Sequence, residues 1–382
     1  MIYDNLKKNE NNIIEISNKA IIHFVRGPFV EIKGSKKATY KVDFIDNKTG
    51  KIIYSNSIGN NCWCKCSIEY FVEWKINIYE DGKLWNQHLY NADSKRIYIS
   101  LDSRALGDSL AWVSYLDEFR KKHNCELTVS TFMNHMFEPK YENIKFVNPG
   151  TSVENLYAMY SIGLFYNEDG SVNLFKNPQD PKSVTLQKMC SDILGLDYTE
   201  IKPKIKERKP KIDKNLKQVC IGVFGTAQSK FWNNPTGWQD VVDWLKGRGY
   251  TVKLVSKEGD DYMGNKYPTG IVKHPNGPID SVMDEMLKSK AFIGIGSGLS
   301  WLSWALNVPT VLISGFSYDW AEMQDCIRIT APKGKCEGCF NRLKLDAGDW
   351  NWCPDHKGTD RQFECTKSIS SQQVIKELEK FL

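Results

Sequence analysis

The sequence has no hydrophobic run that approaches the roughly 20 apolar residues of a membrane-spanning helix. Its first residues, MIYDNLKKNENNIIE, also lack the apolar core of a signal peptide. Charge of one sign is not in large excess, because 51 Lys and Arg against 46 Asp and Glu leave a net charge of +5. We therefore expect a cytoplasmic protein that does not insert into a membrane and has no nucleic-acid partner.

An Asp-x-Asp pair is absent as well. Such a pair is one way to hold Mg²⁺ on a diphosphate, because the ion binds carboxylate and phosphate oxygens together. A diphosphate bound by this chain would instead be neutralised by lysine side chains and by the N-termini of helices.

Cysteine is plentiful by contrast, and four of the eleven cysteines lie in one segment near the C-terminus. Cys336 and Cys339 form a C-x-x-C pair, and Cys353 and Cys365 each follow after a short loop. Four thiolates at this spacing can surround one zinc or iron ion, which would supply the folding energy of a segment poor in aliphatic residues. The alternative is four separate buried thiols. A disulfide pair fits poorly with the reducing compartment that we expect.

A second group of cysteines, Cys62, Cys64 and Cys66, occupies alternate positions of a predicted strand. Alternate residues share one face of a strand, so three thiols in a row could bind a metal. A strand with small packed side chains is the favoured interpretation, and the role of this run stays unassigned.

The first quarter of the chain, residues 1–96, has the pattern of antiparallel β-structure. ATYKVDFID and KIIYSNS flank one turn, and KINIY and LWNQHLY flank another, as in β-hairpins. We expect a small barrel or sandwich here.

The rest of the chain alternates strands and helices in two blocks, which predicts two parallel, doubly wound sheets. Two such Rossmann-like units with a cleft between them are the architecture of GT-B glycosyltransferases. The predicted division is a first unit at 97–200, a solvated basic linker at 201–217, a second unit at 218–330, a four-Cys segment at 331–366 and a C-terminal helix at 367–382.

Three loops at the ends of predicted strands could carry chemistry, since ligands of such sheets bind there. In the first loop, Gly107 allows a tight turn and Asp108 begins a helix. Asp108 is either a helix N-cap or a general base, and a helix N-terminus would lower its pKa. In the second loop, Thr226, Gln228 and Lys230 suit a diphosphate; the alternative for Lys230 is a solvated lysine.

The third loop is a strand-to-helix turn built of small residues. Small side chains let a phosphate approach the N-terminus of the following helix. The candidate binding residues of this turn are Gly296, Ser297, Gly298, Ser300 and Trp301.

Four segments carry a resemblance to a known family: ALGDSLAW, GTAQSKFWN, GSGLSWLSWALNVPTVLIS and DWNWCPDHKGTDRQFECTKSI. Together they resemble the bacterial autotransporter heptosyltransferases, which O-heptosylate serines of autotransporter adhesins. The resemblance implies a GT-B fold with an added β-barrel domain, ADP-heptose as donor and a dodecameric ring. It also implies that Asp108 is the catalytic aspartate, that Lys230 binds the donor diphosphate, and that the four C-terminal cysteines hold iron.

A more distant resemblance concerns Glu258. Lipopolysaccharide heptosyltransferases place a carboxylate after the second strand of this unit on the nucleoside ribose, and Glu258 ends the strand TVKLVSKE. A surface charge is the alternative.

The mechanism implied is an inverting transfer of heptose to a serine of an autotransporter passenger protein. Lys230, Thr226 and the 296–300 turn would stabilise the charge that develops on the leaving ADP. Asp108 would take the proton of the serine from the opposite lobe. The cysteines lie far along the chain from these loops, so we expect one structural iron per chain, with zinc as the alternative. Two other functions remain open, a lipopolysaccharide-type heptosyltransferase and a non-enzymatic ADP-heptose-binding protein.

Overall fold

A computed structural model describes residues 6–8, 14–213 and 215–382. Parts of the predicted N-terminal domain, residues 1–5 and 9–13, and residue 214 of the predicted linker lie outside the described residues. The N-terminal strands are β1 Leu6–Lys8, β2 Ile14–Ile16, β3 Lys19–Val25, β4 Phe29–Lys33, β5 Thr39–Asp46, β6 Ile52–Gly59, β7 Trp63–Lys65, β8 Trp74–Glu80 and β9 Lys83–Leu89.

The predicted antiparallel β-structure is confirmed, because strands β6, β5, β8 and β9 form a four-stranded sheet in that order through two hairpins. Val42 and Phe44 of β5 and Ile76 and Ile78 of β8 are fully buried, and the residues between them, Asp43 and Asn77, are buried as well. The sequence predicts a separate N-terminal unit that ends at residue 96, and the structure differs. Strands β3, β4 and β7 are not part of this sheet; they belong to the sheet of the next unit.

The first Rossmann-like unit contains the elements β10 Arg96–Leu101, α1 Leu106–His123, β11 Glu126–Ser130, α2 Asn134–Phe137, β12 Ile144–Val147, β13 Ala158–Ile162 and α3 Leu186–Ile193. The sheet order is β12-β11-β10-β13-β3-β4-β7. Neighbouring strands from β12 to β3 are parallel, whereas β3, β4 and β7 pair antiparallel.

The second unit contains the elements β14 Gln218–Gly222, α4 Gly237–Gly247, β15 Thr251–Leu254, β16 Val272–Lys273, α5 Ile279–Lys288, β17 Ala291–Ile295, α6 Gly298–Ala305, β18 Thr310–Ile313 and β19 Ile327–Ile329. Its six strands are all parallel, in the order β16-β15-β14-β17-β18-β19. After it come α7 Cys339–Arg342, α8 Glu364–Lys367 and α9 Ser371–Leu378. The predicted C-terminal helix is therefore present, and a capping box of Ser370 and Gln373 begins it.

The predicted solvated linker is wrong in one respect, because the segment packs against the second unit. Ile205 is buried in the core. Lys206 forms an ion pair with Asp280 at 2.8 Å, and Arg208 binds Asp284 through two nitrogens at 2.9 and 2.5 Å. The basic residues are thus used to fix the segment along α5.

One hydrophobic core runs through both units. It includes Trp112 and Leu116 of α1 and Leu302 and Trp304 of α6, so the two helices pack together across the boundary between the lobes. None of the described helices is long and apolar enough to cross a membrane.

Candidate active site and cysteine cavity

Asp108 lies in the first turn of α1, at the carboxyl end of strand β10. The N-cap position of this helix is occupied by Ala105, three residues before Asp108. The N-cap interpretation of Asp108 is therefore wrong. The half-buried carboxylate accepts a hydrogen bond from Ser103 Oγ to Oδ2 at 2.6 Å. The carboxylate is therefore held in place through Oδ2, and Oδ1 has no hydrogen-bond partner among the described residues.

The sequence predicts a lowered pKa for Asp108, and the structure corrects this. Burial raises the pKa of the carboxyl above its ordinary value. The hydrogen bond from Ser103 and the positive charge of Lys230 act in the opposite direction but are weaker. Burial therefore determines the direction of the shift, and Asp108 is a stronger base than a solvated aspartate.

The N-termini of α1 and α6 meet where the two lobes touch. A Cβ added to Gly298 would lie 2.9 Å from Cβ of Leu106 and 3.1 Å from the backbone nitrogen of Gly107. A Cβ added to Gly107 would lie 2.9 Å from Cδ1 of Trp301. Both glycines are needed for this close approach, which brings Asp108 next to the turn before α6.

Lys230 ends a short 3₁₀ turn, Gln228–Lys230, in the loop after β14. Its Nζ donates to Thr226 Oγ1 at 3.3 Å and lies 5.4 Å from the centre of the Phe316 ring. Burial lowers the pKa of the ammonium, and the charges of Asp108 and Glu322 oppose this shift. The alternative of a solvated lysine is therefore wrong, since Lys230 is a half-buried cation between two carboxylates.

Three of the predicted binding residues make contacts inside the protein. Gln228 exchanges hydrogen bonds with Asn265 through both ends of its amide, at 2.9 and 3.1 Å. Ser300 Oγ is buried and donates to the carbonyl of Ile295 at 2.6 Å. Trp301 is buried against Gly107. These side chains shape the loops, and a direct contact of theirs with a substrate stays a prediction.

Ser297, Thr226 and Glu258 are placed differently. Ser297 is the N-cap of α6, and its buried Oγ has no hydrogen-bond partner among the described residues. Thr226 is exposed. Glu258 is half-buried after β15, and its carbonyl accepts from Lys273 Nζ at 3.0 Å. Thr226 and Glu258 therefore have side-chain atoms accessible to a ligand, whereas Ser297 Oγ is unpaired but buried.

The four C-terminal cysteines line one small cavity. The same cavity is lined by Ser229, Phe316, Trp352, Asp355 and Phe363. Since Ser229 precedes Lys230 and Phe316 lies under its ammonium, the cavity adjoins the Lys230 loop. The expectation that the cysteines lie far from these loops is therefore wrong, because they are distant along the chain but close in space.

The donor set of this cavity fits a soft metal ion. The backbone N–H of Phe363 donates to Cys353 Sγ at 3.4 Å, and an Arg342 nitrogen lies 3.4 Å from Cys339 Sγ. A hydrogen bond with Cys365 lowers the pKa of Cys336 to about 6. Burial raises the pKa of Cys339 to about 11, and the hydrogen bond with Cys336 raises the pKa of Cys365. Cys336 is therefore the thiol that ionises most readily, and the thiolate is the form that binds metal.

A second donor group overlaps this one. Ligand atoms of Cys336, His356 and Glu364 lie within 4.8 Å of one another. Glu364 is already bound by Lys335 at 2.9 Å and by Arg361 at 2.6 Å, so its carboxylate is occupied. His356 is a further potential donor, and it lies between Cys353 and Cys365 in the sequence.

The N-terminal cysteines look like packed thiols. Cys64 and Cys66 are buried whereas Cys62 is exposed, and burial raises the pKa of Cys64 to about 11. Cys64 and Cys66 belong to the hydrophobic core, and the exposed Cys62 lies outside it. The structure therefore favours the packing interpretation.

Two further residues of the site carried no recognisable sequence signal. Ser103 lies five residues before its partner Asp108. Glu322 lies in the loop between β18 and β19, and its Oε1 would be 2.7 Å from a Cβ on Gly296. That loop follows the carboxyl end of a parallel strand, where ligands of such sheets bind, and this position could have indicated Glu322.

No protein-family model matches this chain. It is 35% identical over 350 residues to the autotransporter heptosyltransferase Aah of Escherichia coli, with 88% of each chain covered. The chain belongs to the autotransporter heptosyltransferase family. The solved structure of another member, the iron-containing dodecameric glycosyltransferase TibC of enterotoxigenic E. coli, has a TM-score of 0.86 and 30% identity, and covers 95% of both chains.

This autotransporter heptosyltransferase thus has a glycosyltransferase fold of the GT-B type, as the two facing Rossmann-like units predicted. TibC has also been solved in complex with ADP-D-β-D-heptose, with the same TM-score of 0.86. A third relative, BimC of Burkholderia thailandensis, is 29% identical over 314 residues, covers 80% of this chain and 73% of its own, and is described as inactive. The family therefore includes a member described as inactive.

Proposed function

We propose that this protein transfers heptose from ADP-heptose to serine hydroxyls of an autotransporter passenger protein, with inversion at the anomeric carbon. The observation that carries the proposal is the close approach of Gly107 and Gly298, which brings Asp108 of one lobe to the turn before α6 of the other. Lys230 of the second lobe is near enough for its charge to lower the pKa of Asp108. A base and a cation that face each other across a cleft suit a reaction in which the acceptor loses a proton and the leaving group gains negative charge.

Donor binding is assigned to the second unit. Lys230 and Thr226 bind the diphosphate, together with the turn of Gly296, Ser297 and Gly298 at the N-terminus of α6. The free hydroxyl of Ser297 and the positive end of the helix both suit a phosphate oxygen. Glu258 binds the ribose hydroxyls. As the anomeric C–O bond breaks, the half-buried Lys230 stabilises the charge on ADP more strongly than a solvated lysine would.

Asp108 acts as general base from the first unit. Its Oδ2 is held by Ser103, and Oδ1 takes the proton of the acceptor serine as the oxygen attacks the anomeric carbon. The raised pKa increases its basicity. Attack from the face opposite to the diphosphate inverts the configuration.

The cysteine cavity is proposed to hold one structural iron ion per chain, with zinc as the alternative. Cys336, Cys339, Cys353 and Cys365 are the assigned ligands, and the description of TibC as iron-containing supports iron. The ion would cross-link a segment that has little core of its own.

The dodecameric state of TibC supports a dodecameric ring for this protein. The eleven free cysteines support a cytoplasmic location, since thiols stay reduced there.

The alternative with a specific observation behind it is a non-enzymatic ADP-heptose-binding protein, because one relative is described as inactive. Co-expression with an autotransporter passenger and intact-mass measurement of that passenger separates the two functions. Transfer adds the mass of heptosyl residues to the passenger, and peptide mapping places them on serines. An unmodified passenger together with tight ADP-heptose binding would support the binding protein instead.

A further inference from the structure

Glu322 is held in a fixed orientation beside the proposed donor site. Its Oε2 accepts from Arg328 Nη1 at 2.7 Å and from Ser317 Oγ at 3.0 Å. The side chains of Glu322 and Arg328 are only 13% and 10% exposed, so solvent screens this ion pair weakly. Both interactions fix the same oxygen and leave the other one free to interact elsewhere.

The second oxygen, Oε1, points at the turn before α6. It lies 2.7 Å from the position that a Cβ on Gly296 would occupy, so a larger residue at 296 would displace it. The described part of the chain offers Oε1 no hydrogen-bond partner. A carboxylate oxygen that is oriented by two neighbours and has no partner of its own is prepared for a ligand.

The charge of Glu322 restricts what that ligand group can be. A carboxylate accepts hydrogen bonds and repels phosphate oxygens, although its charge also acts on Lys230. The group that Glu322 contacts must therefore be a donor, such as a hydroxyl, at the edge of the phosphate site. In a nucleotide sugar whose diphosphate lies on Lys230, hydroxyls of the sugar adjoin the diphosphate.

We propose that Glu322 Oε1 accepts a hydrogen bond from a hydroxyl of the transferred sugar and so contributes to donor specificity, with Arg328 as its positioning residue. This inference rests on the proposed function, since it assumes a nucleotide diphosphate on Lys230. It assigns to the loop between β18 and β19 the recognition of the sugar, as distinct from that of ADP.

The variant Glu322→Gln tests the contact with little change of shape. The amide oxygen can keep the bonds to Arg328 and Ser317, which places the NH₂ group where Oε1 was. An acceptor is thereby exchanged for a donor at the turn. The matched control is Asp325→Asn, which removes a carboxylate from the same loop at a side chain that is 73% exposed and bound to Lys202.

The measurement is titration calorimetry of the full, metal-loaded protein with ADP and with ADP-heptose. We expect Glu322→Gln to bind ADP as tightly as the wild type or more tightly, because a negative charge is removed. Its affinity for ADP-heptose should fall about ten-fold or more, the usual effect of losing a hydrogen bond to a charged group. Asp325→Asn should bind both ligands as the wild type does.

Equal loss of affinity for both ligands, or no loss for either, would overturn the proposal. A wild-type protein that binds neither ligand would refute the donor assignment itself, and the two failures are thus distinguishable. Melting temperatures complete the test: loss of ADP-heptose affinity in a variant that melts like the wild type supports sugar recognition, whereas loss through unfolding would reduce ADP affinity as well.

Discussion

Gly298 and Gly107 meet at the boundary of the two lobes, where a Cβ on Gly298 would lie 3.1 Å from the backbone nitrogen of Gly107. Backbone cannot move aside as a side chain can, so a methyl group at 298 has to push the lobes apart. The base Asp108 follows Gly107 directly and would move away from the donor site. Lobe separation therefore affects the reaction more than nucleotide binding.

The first prediction uses this contact. Gly298→Ala should lower heptose transfer by about ten-fold or more, because small displacements of reacting groups reduce rates strongly. ADP affinity should fall much less. The matched control is Gly247→Ala at the end of α4, where an added Cβ meets nothing within 4 Å. Kinetics and ADP titration of both variants check this, and equal activity of the two would contradict it.

Local sequence patterns predict the hairpins, the two sheets and the shared cysteine site of this structure. The hairpins of the β5 to β9 region follow from alternating strands around turn residues, and the two doubly wound sheets follow from alternating strand and helix patterns. The spacing of Cys336 and Cys339 indicated a shared site with Cys353 and Cys365. Each of these signals arises from residues close together in the chain.

The remaining features depend on contacts between distant segments. Strand β3 pairs with β13, which is more than 130 residues later, and no local pattern encodes that pairing. The pKa of Asp108 depends on burial in the folded protein and on the charge of Lys230, which lies far along the chain. The cysteine cavity adjoins Lys230 because the chain folds back after β19. Glu322 is one acidic residue in a loop that contains several, so only the structure distinguishes it.

The second prediction concerns Lys230. Removing a charge-assisted hydrogen bond costs about 1.5–3 kcal/mol, so Lys230→Ala should weaken ADP binding by roughly ten- to a hundred-fold. Lys333→Ala, at an exposed position after β19, is the control and should leave affinity unchanged. Calorimetry with ADP decides the matter, and an unchanged dissociation constant would place Lys230 outside the donor site.

The third prediction concerns the metal. Cys339→Ser should lose the ion, lower the melting temperature and also weaken ADP binding, because Ser229 lines the same cavity and precedes Lys230. Cys62→Ser, at an exposed thiol, should change none of these properties. Elemental analysis should find iron in the wild type purified without added metal. Full metal content in Cys339→Ser would remove this cysteine from the ligand set.

The fourth prediction concerns the general base. Asp108→Asn cannot accept a proton, so transfer should fall by roughly a hundred-fold or more while ADP affinity changes little. Since the raised pKa means that the folded protein holds the proton more tightly than the unfolded chain, ionisation of Asp108 costs stability as pH rises through that pKa. The variant should therefore melt at or above the wild-type temperature at neutral pH. Glu118→Gln, exposed at the other end of α1, is the control. Near-normal transfer by Asp108→Asn would refute both the base and the inverting geometry.

The last prediction concerns pH dependence. The rate should fall on the acid side as Asp108 becomes protonated, at a higher pH than for a solvated aspartate because its pKa is raised. It should fall on the alkaline side as Lys230 loses its proton, at a lower pH than for a solvated lysine because its pKa is lowered. The variant Ser103→Ala distinguishes the acid limb of this pH profile from its alkaline limb.

The hydrogen bond from Ser103 lowers the pKa of Asp108, so its removal should shift the acid limb of kcat/KM to higher pH. The alkaline limb depends on Lys230, which has no contact with Ser103 in the described structure, and it serves as the internal control. Measuring kcat/KM against pH for both proteins gives the two limbs directly. An acid limb that stays in place, or moves to lower pH, would show that a group other than Asp108 controls the proton transfer.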